Sequence, residues 1–271
     1  MNIRFLGTHK YETKTTRCMC LLIDDLVAID AGGVTSNLSI SAQQKLKAIL
    51  LTHEHYDHIR DVPMIALALY SEGSNINVYC RPVVRDMIET HLLNGKLYPK
   101  FHELPAAKPT IEFISIEPYE HKQIENYDVL AIPVSHNDTA VGYQVTDTKG
   151  NVMFYTTDTG PGLTDCWRNI SPQLLITDVT APNRYEEFAI NTGHLTPRLL
   201  NQELIGFQEI KGYLPQIFIV HMDPVLEGEI EIEIAAVAKA LGASITLAHE
   251  GMQLSLEHSR DNPQLVFASQ L

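Results

Sequence analysis

Cysteine, tryptophan and positive charge are all scarce in this 271-residue chain. The four cysteines, Cys18, Cys20, Cys80 and Cys166, sit in apolar surroundings and are too few for a disulfide framework, so reduced thiols packed as small hydrophobes are expected. Cys18 and Cys20 share a strand face, but no second thiol or histidine pair nearby completes a four-ligand zinc set. No stretch approaches 18 uncharged apolar residues, which speaks against a transmembrane helix. Residues 1–7 lack the apolar core of a signal peptide, and the expectation is a cytoplasmic protein with no membrane partner. Lysine and arginine number 20 against 33 acidic residues, a net charge of −13. That balance argues against an extended nucleic-acid partner tracked by a basic surface. Two bound divalent cations would add about four positive charges locally, so a small phosphate-containing substrate remains compatible with global acidity.

What the chain has is 45% hydrophobic residues, arranged in short β-branched runs with helical stretches between them. Alternation or continuous apolar character predicts strands over 2–6, 20–24, 26–30, 48–52, 77–80, 111–116, 127–134, 141–145, 152–156, 174–177, 217–220 and 245–247, with a hairpin around Asp25. Helices are expected over 62–70, 82–93, 197–210 and 228–241, the last closed by Gly242. Residues 94–110, with three prolines, read as a long surface connection suited to a substrate lid or a homodimer contact. No repeat or linker divides the chain, which predicts one domain over 1–271. The order of elements predicts an α/β fold in which two mixed sheets pack face to face with helices outside, a four-layer sandwich.

The chemistry concentrates in His53-Glu54-His55-Tyr56-Asp57-His58. On a helix His53 and His55 would diverge by about 200°; on a tight loop at a strand end both can face one ion. Neutral imidazole nitrogen and carboxylate oxygen suit borderline divalent metals. Two histidines for one ion and an Asp-His pair for a second is the natural division. Three further strand ends offer ligands: His136, Asp158 (with Gly160 and Gly162 permitting a sharp turn) and His221.

This ordered set, from Gly7-Thr8 to Glu250-Gly251-Met252, resembles the ligand signature of the metallo-β-lactamase superfamily. The resemblance implies that His53, His55 and His136 hold one metal, that Asp57, His58 and His221 hold the other, and that Asp158 bridges them. It also implies that Asp30 orients ligands by hydrogen bonds. The implied cofactors are two divalent ions, zinc first, with manganese or iron as alternatives. The implied reaction is hydrolysis by metal-activated water, with Asp57 doubling as a proton carrier. No Gly-x-Ser-x-Gly nucleophile elbow competes with that reading.

The tract Leu174-Leu175-Ile176-Thr177-Asp178-Val179-Thr180, followed by Asn191-Thr192-Gly193-His194-Leu195-Thr196, is similar to tRNase Z enzymes and cyclic phosphodiesterases. That similarity implies that His194 assists phosphodiester cleavage by giving a proton to the leaving oxygen or stabilising its charge. Leu195 departs from the usual small polar residue, and Thr196 also reads as the cap of the helix at Pro197. Only 22 positions separate His136 from Asp158, which leaves no room for the RNA-grasping arm of long-armed tRNase Z enzymes. A small cyclic nucleotide or cyclic phosphate is therefore the expected substrate. The alternatives are a tRNase Z-like endoribonuclease, a thioester, lactone or lactam hydrolase, and a non-catalytic dimetal sensor. His249 and Glu250 are expected near the site's edge, Arg184 paired with Glu186 or Glu187, and His9 narrowing the first loop. His91, His102, His121 and His258 read as surface residues.

Overall fold

Asp24 and Asp25 both take positive φ, 46° and 59°. Such a turn matches the right-handed twist of flanking strands, and it closes the expected hairpin between β2 (Cys20–Ile23) and β3 (Val27–Ile29). The computed structural model describes residues 1–257 and the strand Gln264–Phe267. His258 lies outside the described residues. The remaining strands are β1 (Asn2–Gly7), β4 (Ala48–Leu50), β5 (Ile76–Cys80), β6 (Ile111–Ser115), β7 (His121–Ile124), β8 (Tyr127–Pro133) and β9 (Val141–Asp147). They continue with β10 (Val152–Tyr155), β11 (Leu174–Asp178), β12 (Gln216–Val220), β13 (Ile245–Leu247), β14 (Gln253–Glu257) and β15 (Gln264–Phe267).

Two mixed sheets result. The first runs β15-β14-β1-β2-β3-β4-β5-β6 and the second β13-β12-β11-β10-β9-β8-β7. In each, one half is parallel (β3 to β6, and β10 to β13) and the other antiparallel. Their facing sides supply the central core, with Ile3, Phe5, Leu21 and Ile29 meeting Tyr143, Tyr155, Ile176 and Phe218. The outer face of the first sheet buries Ile65 and Leu69 of the helix Val62–Ser71 and Val84 and Ile88 of the helix Pro82–His91. The outer face of the second buries Trp167 together with residues of the helices Pro197–Lys211 and Glu227–Leu241. These are the four layers expected from the sequence.

Residues 94–110 form no regular element and dock on the outer helix layer. Phe101 is buried beside Tyr70 at 5.5 Å, and the Tyr98 hydroxyl donates to Met64 Sδ at 3.0 Å. Among the described residues no helix is long and apolar enough to cross a membrane. All four cysteines are free and buried.

The topology places chemistry at one edge. Asp30 follows β3, the 53–58 cluster follows β4, His136 follows β8, Asp158 follows β10, Asp178 ends β11 and His221 follows β12. The carboxyl ends of strands are where open α/β sheets leave room for a ligand, because the chain must turn away there.

Candidate metal centre

Three residues of this edge take left-handed backbone although none is glycine: Asp30 (φ 60°), Thr157 (φ 59°) and His221 (φ 62°). Such conformations cost on the order of 1 kcal/mol or more each and persist only where surroundings enforce them. Here Asp30 N donates to Leu50 O at 2.8 Å and His221 N to Thr8 O at 2.6 Å.

The 53–58 segment is an extended loop through His55, as expected, but then forms one helical turn, Tyr56–Ile59, in place of continued loop. That turn carries Asp57 and His58. The resulting centre has two groupings in which every donor atom lies within 4.8 Å of the others: His53, His55, His136 and Asp158; and Asp57, His58, Asp158 and His221. Asp158 belongs to both. Its Oδ1 lies 3.2 Å from His58 Nε2, and its Oδ2 lies 3.3 Å from His221 Nε2, 3.8 Å from His53 Nε2 and 3.9 Å from His136 Nε2. All seven residues expected as ligands are therefore brought together.

Four of the imidazoles have their Nδ1 fixed by an acceptor, which turns Nε2 toward the centre. His58 Nδ1 donates to Asp30 Oδ2 at 2.7 Å and His136 Nδ1 to Gly193 O at 2.8 Å. His53 Nδ1 meets Thr52 Oγ1 at 3.0 Å, and that hydroxyl donates onward to Asp30 Oδ1 at 2.9 Å. His221 Nδ1 meets Thr180 Oγ1 at 2.8 Å, and that hydroxyl donates to Asp178 Oδ1 at 2.7 Å. A hydroxyl whose single proton goes to a carboxylate must accept from its imidazole, so these rings too carry their proton on Nδ1. Gly193 has φ +71°, and a Cβ there would stand 2.9 Å from His136 Nδ1, so glycine is required for the carbonyl to approach.

The test of fit is what faces inward. His53 Nε2, His58 Nε2 and Asp158 Oδ1 are buried without an aligned hydrogen-bond partner. Orphaned buried polar atoms cost about 1–3 kcal/mol each, and convergent lone pairs on nitrogen and oxygen are satisfied together by a cation. The His/Asp clusters suit divalent metal ions. Against the effect of burial, Asp158 and Asp178 raise the His221 imidazole to about 10, so a bound cation would displace a proton there. Burial raises the Asp57 carboxyl, but His58 and His221 outweigh it and hold it at about 2. Burial drives the His53 imidazole well below its usual range, with His58 adding to the effect.

A third grouping, Asp178, His194 and His221, adjoins the others. His194 Nδ1 lies 2.8 Å from Asp178 Oδ2, and its ring stacks on His221 at 5.1 Å with 12° between planes. His194 thus lies beside the centre, and Asp178 and Thr180, which the sequence offers only within an apolar tract, hold His194 and His221. Their signal, an Asp-x-Thr ending a buried strand, is faint without knowing that His194 and His221 return to it.

Other expectations need revision. Arg184 pairs with Glu229 at 2.9 Å and lies over Tyr185, in place of Glu186 or Glu187, because the helix Glu227–Leu241 crosses nearby. His102 is largely buried beside Phe113 and is not a surface residue. His9 is buried, its Nδ1 2.7 Å from Glu250 Oε1, which also accepts from Arg17 N at 2.8 Å. This pair ties the first loop to the turn before β14. His249 is exposed, as are His91 and His121.

The layers, the strand order and a His/Asp centre at the strand ends define a protein of the metallo-β-lactamase fold. A family model for the Beta-lactamase superfamily domain matches residues 27–246, and the chain belongs to that superfamily. Among solved structures it is similar to the metallo-beta-lactamase fold protein YhfI from Bacillus subtilis (16% identity, TM-score 0.72, covering 93% of this chain and 98% of that one). It is also similar to unliganded yeast PDE1 (14%, TM-score 0.80, 93% and 98%) and to the short form of human tRNase Z (19%, TM-score 0.68, 95% and 100%). At these identities the likeness is one of fold. No curated protein matches the chain.

Proposed function

We propose that this chain is a dinuclear metal-dependent hydrolase that cleaves a phosphodiester in a small cyclic nucleotide or cyclic phosphate. The observation that carries the reading is the Asp178–His194 pair set against His221, beside two donor clusters that share Asp158. His53, His55 and His136 would hold one cation and Asp57, His58 and His221 the other, zinc being the first candidate for such ligands. When bound, two such ions activate water and stabilise anionic charge on the substrate.

The chain's own residues do the rest. Asp30, Thr52 and Thr180 hold three imidazoles in the tautomer that offers Nε2. Asp57, the least enclosed carboxylate of the centre, is placed to carry a proton away from the attacking water. Asp178 accepts a hydrogen bond from His194 Nδ1 and fixes the ring, so that Nε2 is the nitrogen left to hold a proton for the leaving oxygen. Yeast PDE1 and human tRNase Z, two of the similar structures, lend weight to phosphodiester chemistry. The net charge of −13 and the 22-residue interval between His136 and Asp158 favour a small substrate over RNA.

Purified protein supplied with manganese or zinc is expected to turn over bis(p-nitrophenyl) phosphate or cyclic nucleotides, and His53→Ala is expected to lose that turnover. Silence across the whole phosphodiester panel, with cleavage of thioesters or lactones instead, would replace this reading with the other hydrolase.

A further inference from the structure

The three histidines of the first donor cluster sit on two loops from different sheets. His53 and His55 follow β4 of the first sheet, and His136 lies between β8 and β9 of the second. At their roots the loops are joined by Val141 N donating to Thr52 O at 3.1 Å and by the Tyr143 hydroxyl donating to Leu51 O at 2.8 Å. Nearer its tip the His136 loop is held mainly from its own side, through Gly160 N to Ser135 O at 2.5 Å and Ser135 N to Thr159 Oγ1 at 3.2 Å. Three contacts reach that loop from the first sheet: Arg81 Nη1 to Asp138 O at 2.8 Å, His55 Nδ1 to His136 Nε2 at 3.1 Å within the donor cluster itself, and, outside the cluster, Glu54.

Glu54 stands between His53 and His55. In extended backbone, neighbours at i and i+2 share a side and the residue between them faces the other way. The two imidazoles accordingly face the centre, and the Glu54 carboxylate belongs to neither donor cluster. It meets Thr139 Oγ1 at 2.5 Å and Asn137 Nδ2 at 3.4 Å. Thr139 Oγ1 is also 2.7 Å from Asn137 Oδ1, but that oxygen already accepts from Thr139 N at 3.0 Å and Ala140 N at 2.7 Å. The hydroxyl has one proton to give. With both lone pairs of the amide oxygen engaged by backbone donors, the proton goes to the carboxylate, a charge-assisted bond.

We infer that Glu54 is a positioning residue: by clamping the turn Asn137–Ala140 it sets His136 against His53 and His55. The inference rests on reading the site as a metal centre and is independent of the substrate. Outer partners of ligands typically change metal affinity by about 10–100-fold when removed.

The test is calorimetric titration of the full chain with Mn²⁺. Wild type takes up two equivalents; Glu54→Ala weakens one of them by about 10–100-fold and leaves the other within about threefold. Glu54→Gln, which keeps an oxygen for the Thr139 hydroxyl, restores most of the loss. Thr139→Val reproduces Glu54→Ala, and the double variant is no weaker than either single, since both remove one bond. If Glu54→Ala does not fold, Thr139→Val and Glu54→Gln carry the test. Wild-type affinity at both sites in Glu54→Ala and Thr139→Val overturns the proposal. So does a Glu54→Gln protein as weak as Glu54→Ala, or an equal weakening of both ions. A wild-type chain that takes up fewer than two equivalents overturns the metal-centre reading, and this proposal with it.

Discussion

Replacing Asp158 with Asn is expected to reduce phosphodiester turnover by about 10⁴-fold while leaving the fold intact. Asp158 is the one anion common to both donor clusters, and it is buried to 1% exposure. Burial by itself raises a carboxyl pKa, yet here the His221 and His58 imidazoles outweigh it and hold Asp158 well below the ordinary carboxylate range. The group is thus an obligatory anion with cationic or coordinating neighbours on every side. Asparagine keeps the volume and removes the charge, so neither cluster retains a full donor set. Loss of metal-supplied charge stabilisation is worth several kcal/mol, and about 5 kcal/mol corresponds to the stated factor. Rate measurement on bis(p-nitrophenyl) phosphate, with near-ultraviolet circular dichroism as the fold control, checks it. Turnover within tenfold of wild type would remove Asp158 from the centre of the account.

His194→Ala is expected to lower kcat by about 10²–10⁴-fold, the usual range for a lost general acid, with metal content unchanged. The separation follows from geometry. His194 is bonded through Nδ1 to Asp178 and lies in neither of the two groupings built on Asp158. Asp178→Ala should behave differently: it frees His194 and also removes the acceptor behind Thr180, whose hydroxyl holds His221 Nδ1 at 2.8 Å. That variant is expected to lose both rate and affinity for one ion. Parallel kinetics and metal analysis of the two variants distinguish a proton donor from a structural neighbour. Equal metal loss in both would assign His194 a structural place only.

Much of this site was legible because its information is local. Six residues in a row, His53 to His58, announce chemistry that no amphipathic pattern explains, and single polar residues at the ends of apolar runs marked His136, Asp158 and His221. Asp30 was legible only through family resemblance, although its contacts with His58, Thr52 and Tyr155 make it the anchor beneath the cluster. Asp178 was not legible as the holder of His194, because the two are joined by a return of the chain over the helix Glu186–Thr192. The same long-range cause hid the pairing of Arg184 with Glu229. Strand β7, with one buried apolar residue, Ile124, carries almost no alternation, and it exists because a tight turn with Glu125 at φ 53° folds it onto β8. The layers were readable from continuous apolar strands such as β4, β10 and β12, because strands covered on both faces tolerate little polarity.

On the proposed reading, seven side chains grip two cations. Its most direct test is the metal content per chain, by elemental mass spectrometry after loading with zinc and exhaustive dialysis. Two ions per wild-type chain are expected, with one lost in His53→Ala and one in His221→Ala. A wild-type chain that retains fewer than two ions, or histidine variants that keep both, would contradict it.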